Sequence, residues 1–212
     1  MIDGDFPDSR ELIHSELTYR GKVWEIAKDE FYLGDQSLVR DYLRHPGAVA
    51  IVGINSDDEV LLISQYRHPV GQTMVEIPAG LLDNSNEDPA VAAARELLEE
   101  TGYEASTWSV LLDMCTSPGS SSEAIRIYLA EDLTFQPDLN YVKAAEESEI
   151  EVWFEPLELL ITKVLAGRIQ SPTAVAGILA LFVAKQSGTR RNLNDKWPIR
   201  DYLLQTNRVF KF

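Results

Sequence analysis

The distribution of apolar and polar positions divides the chain before any motif is considered. Residues 16–43, ELTYRGKVWEIAKDEFYLGDQSLVRDYL, are rich in aromatic and β-branched residues and hold a turn at Gly34-Asp35, which predicts β structure. His45-Pro46-Gly47 breaks this pattern. The unbroken apolar run Ala48–Ile54 predicts a buried strand, Asn55–Glu59 a polar turn and Val60–Tyr66 a returning strand. That pair is expected to form a hairpin opening a main domain. The boundary falls near residue 46, with a small N-terminal β module before it.

Beyond Arg67 the pattern predicts a loop, the apolar stretch Met74–Ile77 and a break at Pro78-Ala79-Gly80. A helix is predicted over Pro89–Thr101, with Asp88 as N-cap, Pro89 in the first turn and Gly102 as the stop. Strands are expected at Trp108–Met114, Ala124–Ala130 and Ile150–Phe154, and helices at Pro156–Ala166 and Thr173–Lys185. The last stretch, RRNLNDKWPIRDYLLQTNRVFKF, is polar with isolated aromatics and reads as a packed arm. This gives three parts: 1–46, 47–187 and 188–212. Interleaved helices and strands predict a layered α/β fold.

One predicted helix is odd in its charge. With Glu96 at zero and about 100° per residue, Glu100 lies near 40° and Glu99 near 300°. The stripe of Ala90, Val91, Ala94, Leu97, Leu98 and Thr101 is centred opposite that acidic arc. Like charges at i,i+3 and i,i+4 repel by roughly 0.2–0.5 kcal/mol a pair, and anions in a last turn oppose the helix dipole. Arg95 is the close cation. Spacing alone leaves two readings open: a solvated face, or an oxygen-only site for Mg²⁺ or Mn²⁺.

Composition narrows the partners. A formal net charge of −15 over 212 residues argues against a basic nucleic-acid face, but a divalent cation can invert the local sign for a small phosphorylated ligand. The single cysteine, Cys115, excludes an intrachain disulfide and a cysteine zinc site, and reads as a small buried hydrophobe. The acidic start is no secretory signal, and the longest wholly apolar run, Ala174–Ala184, falls short of a bilayer span of about 20 residues. The expectation is a cytoplasmic protein without membrane contact. His14, His45 and His68 are scattered and read as structural.

AGLLDNSNEDPAVAAARELLEETGYE resembles the Nudix box, G-x5-E-x7-R-E-U-x-E-E-x-G-U with U aliphatic. From Glu87 onward the spacing matches in full: Arg95-Glu96-Leu97, Glu99-Glu100, Gly102. Tyr103 stands at the closing aliphatic position, and six residues rather than five separate Gly80 from Glu87. The resemblance implies an α/β/α sandwich with a mixed sheet and a divalent-cation site. Its ligands would be Glu96, Glu99 and Glu100 with the carbonyl of Ala79, and Arg95 would orient a glutamate. It also implies cleavage of a nucleoside diphosphate linked to another moiety.

Flanking segments are similar to the ADP-ribose pyrophosphatase branch. They are RDYLRHPGAVAIVG, QYRHPVGQTMVEIPAGLLD, and TSPGSSSE with Pro118 fifteen residues after Tyr103. That likeness implies hydrolysis of ADP-ribose to AMP and ribose 5-phosphate, with Arg67, Glu76, Glu123, Arg40 and Trp24 on the substrate side. It assigns the proton-accepting glutamate to the acidic loop, Glu147 first and Glu146 second. It implies a homodimer exchanging the N-terminal module. Two alternatives stand beside it: the same chemistry on another nucleoside diphosphate sugar, and a non-catalytic ADP-ribose sensor.

Overall fold

The computed structural model describes residues 4–84, 87–136 and 149–212. β1 (Leu12–Arg20), β2 (Glu25–Leu33) and β3 (Gln36–Arg44) form an antiparallel sheet in that order. The β2–β3 turn falls at the expected Gly34, whose φ of 61° is a left-handed conformation that suits glycine. Every residue of β1 is exposed.

The apolar run after His45-Pro46-Gly47 becomes β4 (Ala48–Gly53), buried along its whole length. Its returning partner is β5 (Glu59–Arg67), yet the two do not form the expected hairpin. β4 lies between β7 (Ala79–Leu81), antiparallel to it, and β9 (Ala124–Phe135), parallel to it, with β8 (Tyr103–Cys115) beyond. β5 pairs instead with β6 (Gln72–Glu76) and β10 (Glu151–Pro156) in a second sheet. Only the isolated bridge Ile54–Val60 joins the two runs. Both edges of β4 are already occupied, so a run apolar on both faces is satisfied as a central strand of a mixed sheet.

The two faces of β4 define the layers. Ala48, Ala50 and Val52 pack with Val60, Leu62 and Ile127 under α2 (Leu157–Leu165) and α3 (Pro172–Ser187). Val49 and Ile51 pack with Ala92, Ala93 and Leu97 of α1 (Pro89–Thr101) on the opposite side. Helices therefore cover both faces of a mixed sheet, the α/β/α arrangement expected. α3 approaches closely because Gly177 has no side chain: a Cβ there would lie 2.7 Å from Val52 Cγ2.

The C-terminal stretch is more structured than an arm. It contains α4 (Pro198–Gln205), and Trp197, Leu203, Val209 and Phe210 are buried. The anchor is Arg126 on β9, 4% exposed. Its Nε and Nη2 donate to Asp113 at 2.7 and 2.9 Å, and Nη1 and Nη2 donate to the carbonyls of Asp195 and Lys196 at 2.7 and 2.9 Å. The guanidinium also sits 5.0 Å from the centroid of the Trp197 ring.

Removing one partner of such a buried cluster strands the others. Arg126→Met is expected to destabilise by about 3 kcal/mol and to open residues 188–212 to proteolysis first. Thermal unfolding and limited proteolysis check this; a wild-type cleavage pattern would contradict the anchoring role.

Candidate functional site

α1 starts and stops as its sequence dictates. Asp88 Oδ1 accepts from Ala90 N at 2.8 Å, and Gly102, at φ 76°, closes the helix by donating its N–H to Leu98 O at 2.8 Å. The buried face differs from the expected one. Ala92, Ala93, Leu97, Glu100 and Thr101 are buried, while Val91 is 58% exposed. The acidic arc thus overlaps the buried face instead of opposing it. The cause is β7, a strand too short for any periodicity to announce, which lies against this side of the helix.

Two contacts fix that approach. Ala79 N donates to Glu100 Oε2 at 2.9 Å, and Glu100 is only 6% exposed. At Gly80 an added Cβ would lie 2.0 Å from Glu96 Cδ and 2.2 Å from its Oε1. Glycine is required here for space, and the Glu96 carboxylate fills the room it leaves.

Arg95 draws the remaining carboxylates together. Its Nε and Nη2 donate to the two oxygens of Glu87 at 3.1 and 3.0 Å. Its Nη1 donates to Glu96 Oε1 at 2.7 Å and to Glu99 Oε2 at 3.0 Å. The Glu87 hydrogen bonds, offset in part by burial and reinforced by Glu96, push the guanidinium pKa further above its ordinary value. The extra residue between Gly80 and Glu87 therefore leaves Glu87 able to grip Arg95 with both oxygens. Burial raises the Glu96 carboxyl above its ordinary range, with Arg95 pulling the other way.

Among the described residues, no three acidic, histidine or cysteine side chains are gathered as they stand into a group that could hold a metal ion. Glu96 and Glu99 turn to Arg95, and Glu100 to Ala79 N. The donor chemistry nevertheless fits a hard divalent cation: three oxygen donors within about one and a half helical turns, two of them held by a single arginine. A cation would also favour the charged form of Glu96, which burial disfavours.

The other expected residues fall into separate groups. Arg67 donates from Nε and Nη2 to the oxygens of buried Glu76 at 2.9 and 2.7 Å, so these two act as one unit. Glu76 precedes Ala79 by three residues, at the seam where the chain passes from the β5–β6 sheet to β7. Glu123 accepts from Thr116 Oγ1, and its Oε1 lies 3.4 Å from His45 Nε2. Arg40 and Pro118 line an open cavity of 510 Å³, together with Arg10, Tyr42, Tyr202 and Arg208. Trp24 is not among its lining residues; it is 38% exposed and lies 5.8 Å from the Tyr19 ring, so it is no core residue. Glu146 and Glu147 lie outside the described residues. Sequence reasoning missed the contacts of His45 and Thr116 with Glu123, because neither residue type at that separation signals a pairing.

The NUDIX domain family matches residues 44–173. An ADP-ribose pyrophosphatase from Mycobacterium tuberculosis is 36% identical over 201 residues, covering 93% of each chain. An ADP-ribose pyrophosphatase from Bacillus subtilis is 37% identical over 125 residues, 58% of this chain and 67% of that one. A solved structure titled as an ADP compounds hydrolase superposes with a TM-score of 0.67 at 22% identity, covering 87% of this chain and 99% of its own.

Because the atoms nearest Gly80 belong to a flexible side chain, Gly80→Ala is expected to fold normally and to displace Glu96. Divalent-cation affinity measured by calorimetry should fall roughly 10–100-fold, with an unchanged circular dichroism spectrum. Unaltered affinity would show that Glu96 does not need its present position.

Proposed function

The chain belongs to the NUDIX family, and from that membership we propose that it hydrolyses the diphosphate of ADP-ribose to AMP and ribose 5-phosphate. Family members generally use a divalent metal. The reading takes Mg²⁺ or Mn²⁺ as the cation, with Glu96, Glu99, Glu100 and the Ala79 carbonyl as its ligands. When bound, the cation neutralises the diphosphate and acidifies water, which lets a protein of net charge −15 accept an anionic substrate.

The chain's own residues do the rest. Arg95, itself tied to Glu87, orients Glu96 and Glu99. The Arg67–Glu76 unit presents a guanidinium for a phosphate or ribose oxygen, and Glu123 adds a carboxylate for a hydroxyl. Arg40 and Trp24, both exposed on the N-terminal module, are taken to hold the adenine. Glu147, or failing it Glu146, accepts the proton of the attacking water as the anhydride bond breaks. The observation that carries the reading is the α1–β7 contact. There Gly80 makes room for Glu96, the Ala79 amide holds Glu100, and Arg95 holds Glu87, Glu96 and Glu99, in a chain matched along 93% of its length by an ADP-ribose pyrophosphatase.

The three-part division at residues 46 and 187 belongs to the same reading, as does a homodimer. Leu12, Ile13, Leu17 and Tyr19 on β1 are between 43% and 54% exposed, an apolar edge suited to cover by a second copy. Leu17→Glu is expected to shift the mass in sedimentation from dimer to monomer.

Product analysis with Mg²⁺ and Mn²⁺ across ADP-ribose, ADP-glucose and GDP-mannose tests the substrate. AMP and ribose 5-phosphate should be released fastest, and chelation should stop release. Preference for GDP-mannose would move the assignment to another nucleotide sugar; binding of ADP-ribose without AMP release would make the protein a sensor. Glu100→Gln keeps an acceptor for Ala79 N but loses the charge, and should lower kcat by about a hundredfold.

A further inference from the structure

Glu123 sits at the junction of several elements. It directly precedes β9, and the register Ala48–Ile125 on β9 and Ala48–Leu81 on β7 puts it at the end of the sheet where β7 passes under α1. Its carboxylate is approached from two sides. Thr116 Oγ1, from the start of the β8–β9 loop, donates to Oε2. His45 Nε2, from the β3–β4 junction, lies 3.4 Å from Oε1.

The His45 ring is itself held. Its Nδ1 accepts from Gly47 N at 3.1 Å, which leaves the ring proton of the neutral imidazole on Nε2, the nitrogen facing Glu123. His45 N donates to Ser122 Oγ at 3.1 Å, and His45 O accepts from Phe210 N at 3.4 Å. Leu43 N donates to Ser120 O, and Ser122 N to Leu43 O, each at 2.9 Å, binding the Glu123 loop to the same junction. Burial keeps the imidazole pKa below its ordinary value against the opposing pull of Glu123, so the neutral donor form prevails near neutrality.

We propose that Thr116 and His45 are positioning residues that hold the two oxygens of Glu123 at the substrate side of the site. This rests on the assignment of Glu123 as a substrate contact. A carboxylate hydrogen-bonded at one oxygen and faced by an imidazole at the other is oriented before substrate arrives, and such preorganisation is felt in binding more than in the bond-breaking step. His45 also ties that orientation to the N-terminal module, because it is the residue after β3.

Steady-state kinetics on the best nucleotide-sugar substrate, with thermal unfolding of each variant, test this. Thr116→Val keeps the shape and removes the hydroxyl; Thr116→Ser keeps the hydroxyl. Thr116→Val and His45→Ala are each expected to raise KM about tenfold with kcat little changed, and Thr116→Ser to restore the wild-type KM. Thr116→Val combined with Glu123→Gln should be no worse than Glu123→Gln alone, because residues acting through one another are not additive. A Thr116→Val variant with wild-type KM, a Thr116→Ser variant as impaired as Thr116→Val, or multiplying losses in the double variant would overturn the positioning role. Should Glu123→Gln itself leave KM unchanged, the substrate assignment of Glu123 falls and the positioning role falls with it.

Discussion

The structure turns on how closely α1 can lie against β7. Had residue 80 any side chain, its Cβ would overlap the Glu96 carboxyl group, which would have to leave its place between helix and strand. The small residues Ala92 and Ala93, both fully buried, allow the same intimacy on the sheet side of the helix. With that spacing set, the Ala79 amide reaches Glu100, and the buried arc of the helix takes in that glutamate with Glu96 half-buried beside it. An amphipathic helix in an ordinary core would instead bury Val91 and Leu98.

Concentrating carboxylates in a half-buried place is unfavourable without a cation, and Arg95 supplies the standing one. A planar guanidinium with five N–H donors can engage three carboxylates at once, where a lysine ammonium lacks the fixed fork needed to grip Glu87 with two bonds. One guanidinium cannot neutralise Glu87, Glu96, Glu99 and Glu100 together. The residual negative charge would favour a divalent ion and oppose a bare diphosphate. Under the proposed function, a divalent ion held here would offset the negative charge that a diphosphate would otherwise meet.

Much of this was legible in the chain because it depends on local rules. The bounds of α1 follow from Asp88, Pro89 and Gly102, and the spacing of Arg95, Glu96, Glu99 and Glu100 follows from helix geometry. The central burial of β4 follows from its unbroken apolar run. What was not legible depends on partners distant in sequence. The hairpin expected of β4 and β5 fails because β9, more than seventy residues on, takes the edge that β5 would have used. β7 is three residues long, so it leaves no pattern, and with it hidden the acidic arc was placed opposite the buried face. α4 was obscured by polar neighbours, although Pro198 in the first turn and the spacing of Ile199, Tyr202 and Leu203 are a helix signal two turns long.

The position of the candidate site at a seam explains why its proposed residues come from separate parts of the chain. β5 and β6 belong to one sheet and β7 to the other, and the chain crosses between them in the two residues Ile77 and Pro78. Ile77 is fully buried, and Pro78 O accepts from Ile51 N at 2.8 Å, so the crossing is pinned to the central strand. On one side of it the Arg67–Glu76 pair closes β6; on the other, Ala79 and Gly80 meet α1. So short a crossing, with Ile77 buried and Pro78 bonded to β4, limits how far Glu76 and its partner Arg67 can stand from Ala79 and Gly80 although they belong to different sheets. Any motion that separated the two sheets would have to break the buried Ile77 contacts, so the geometry of the candidate site depends on the same core that stabilises the fold.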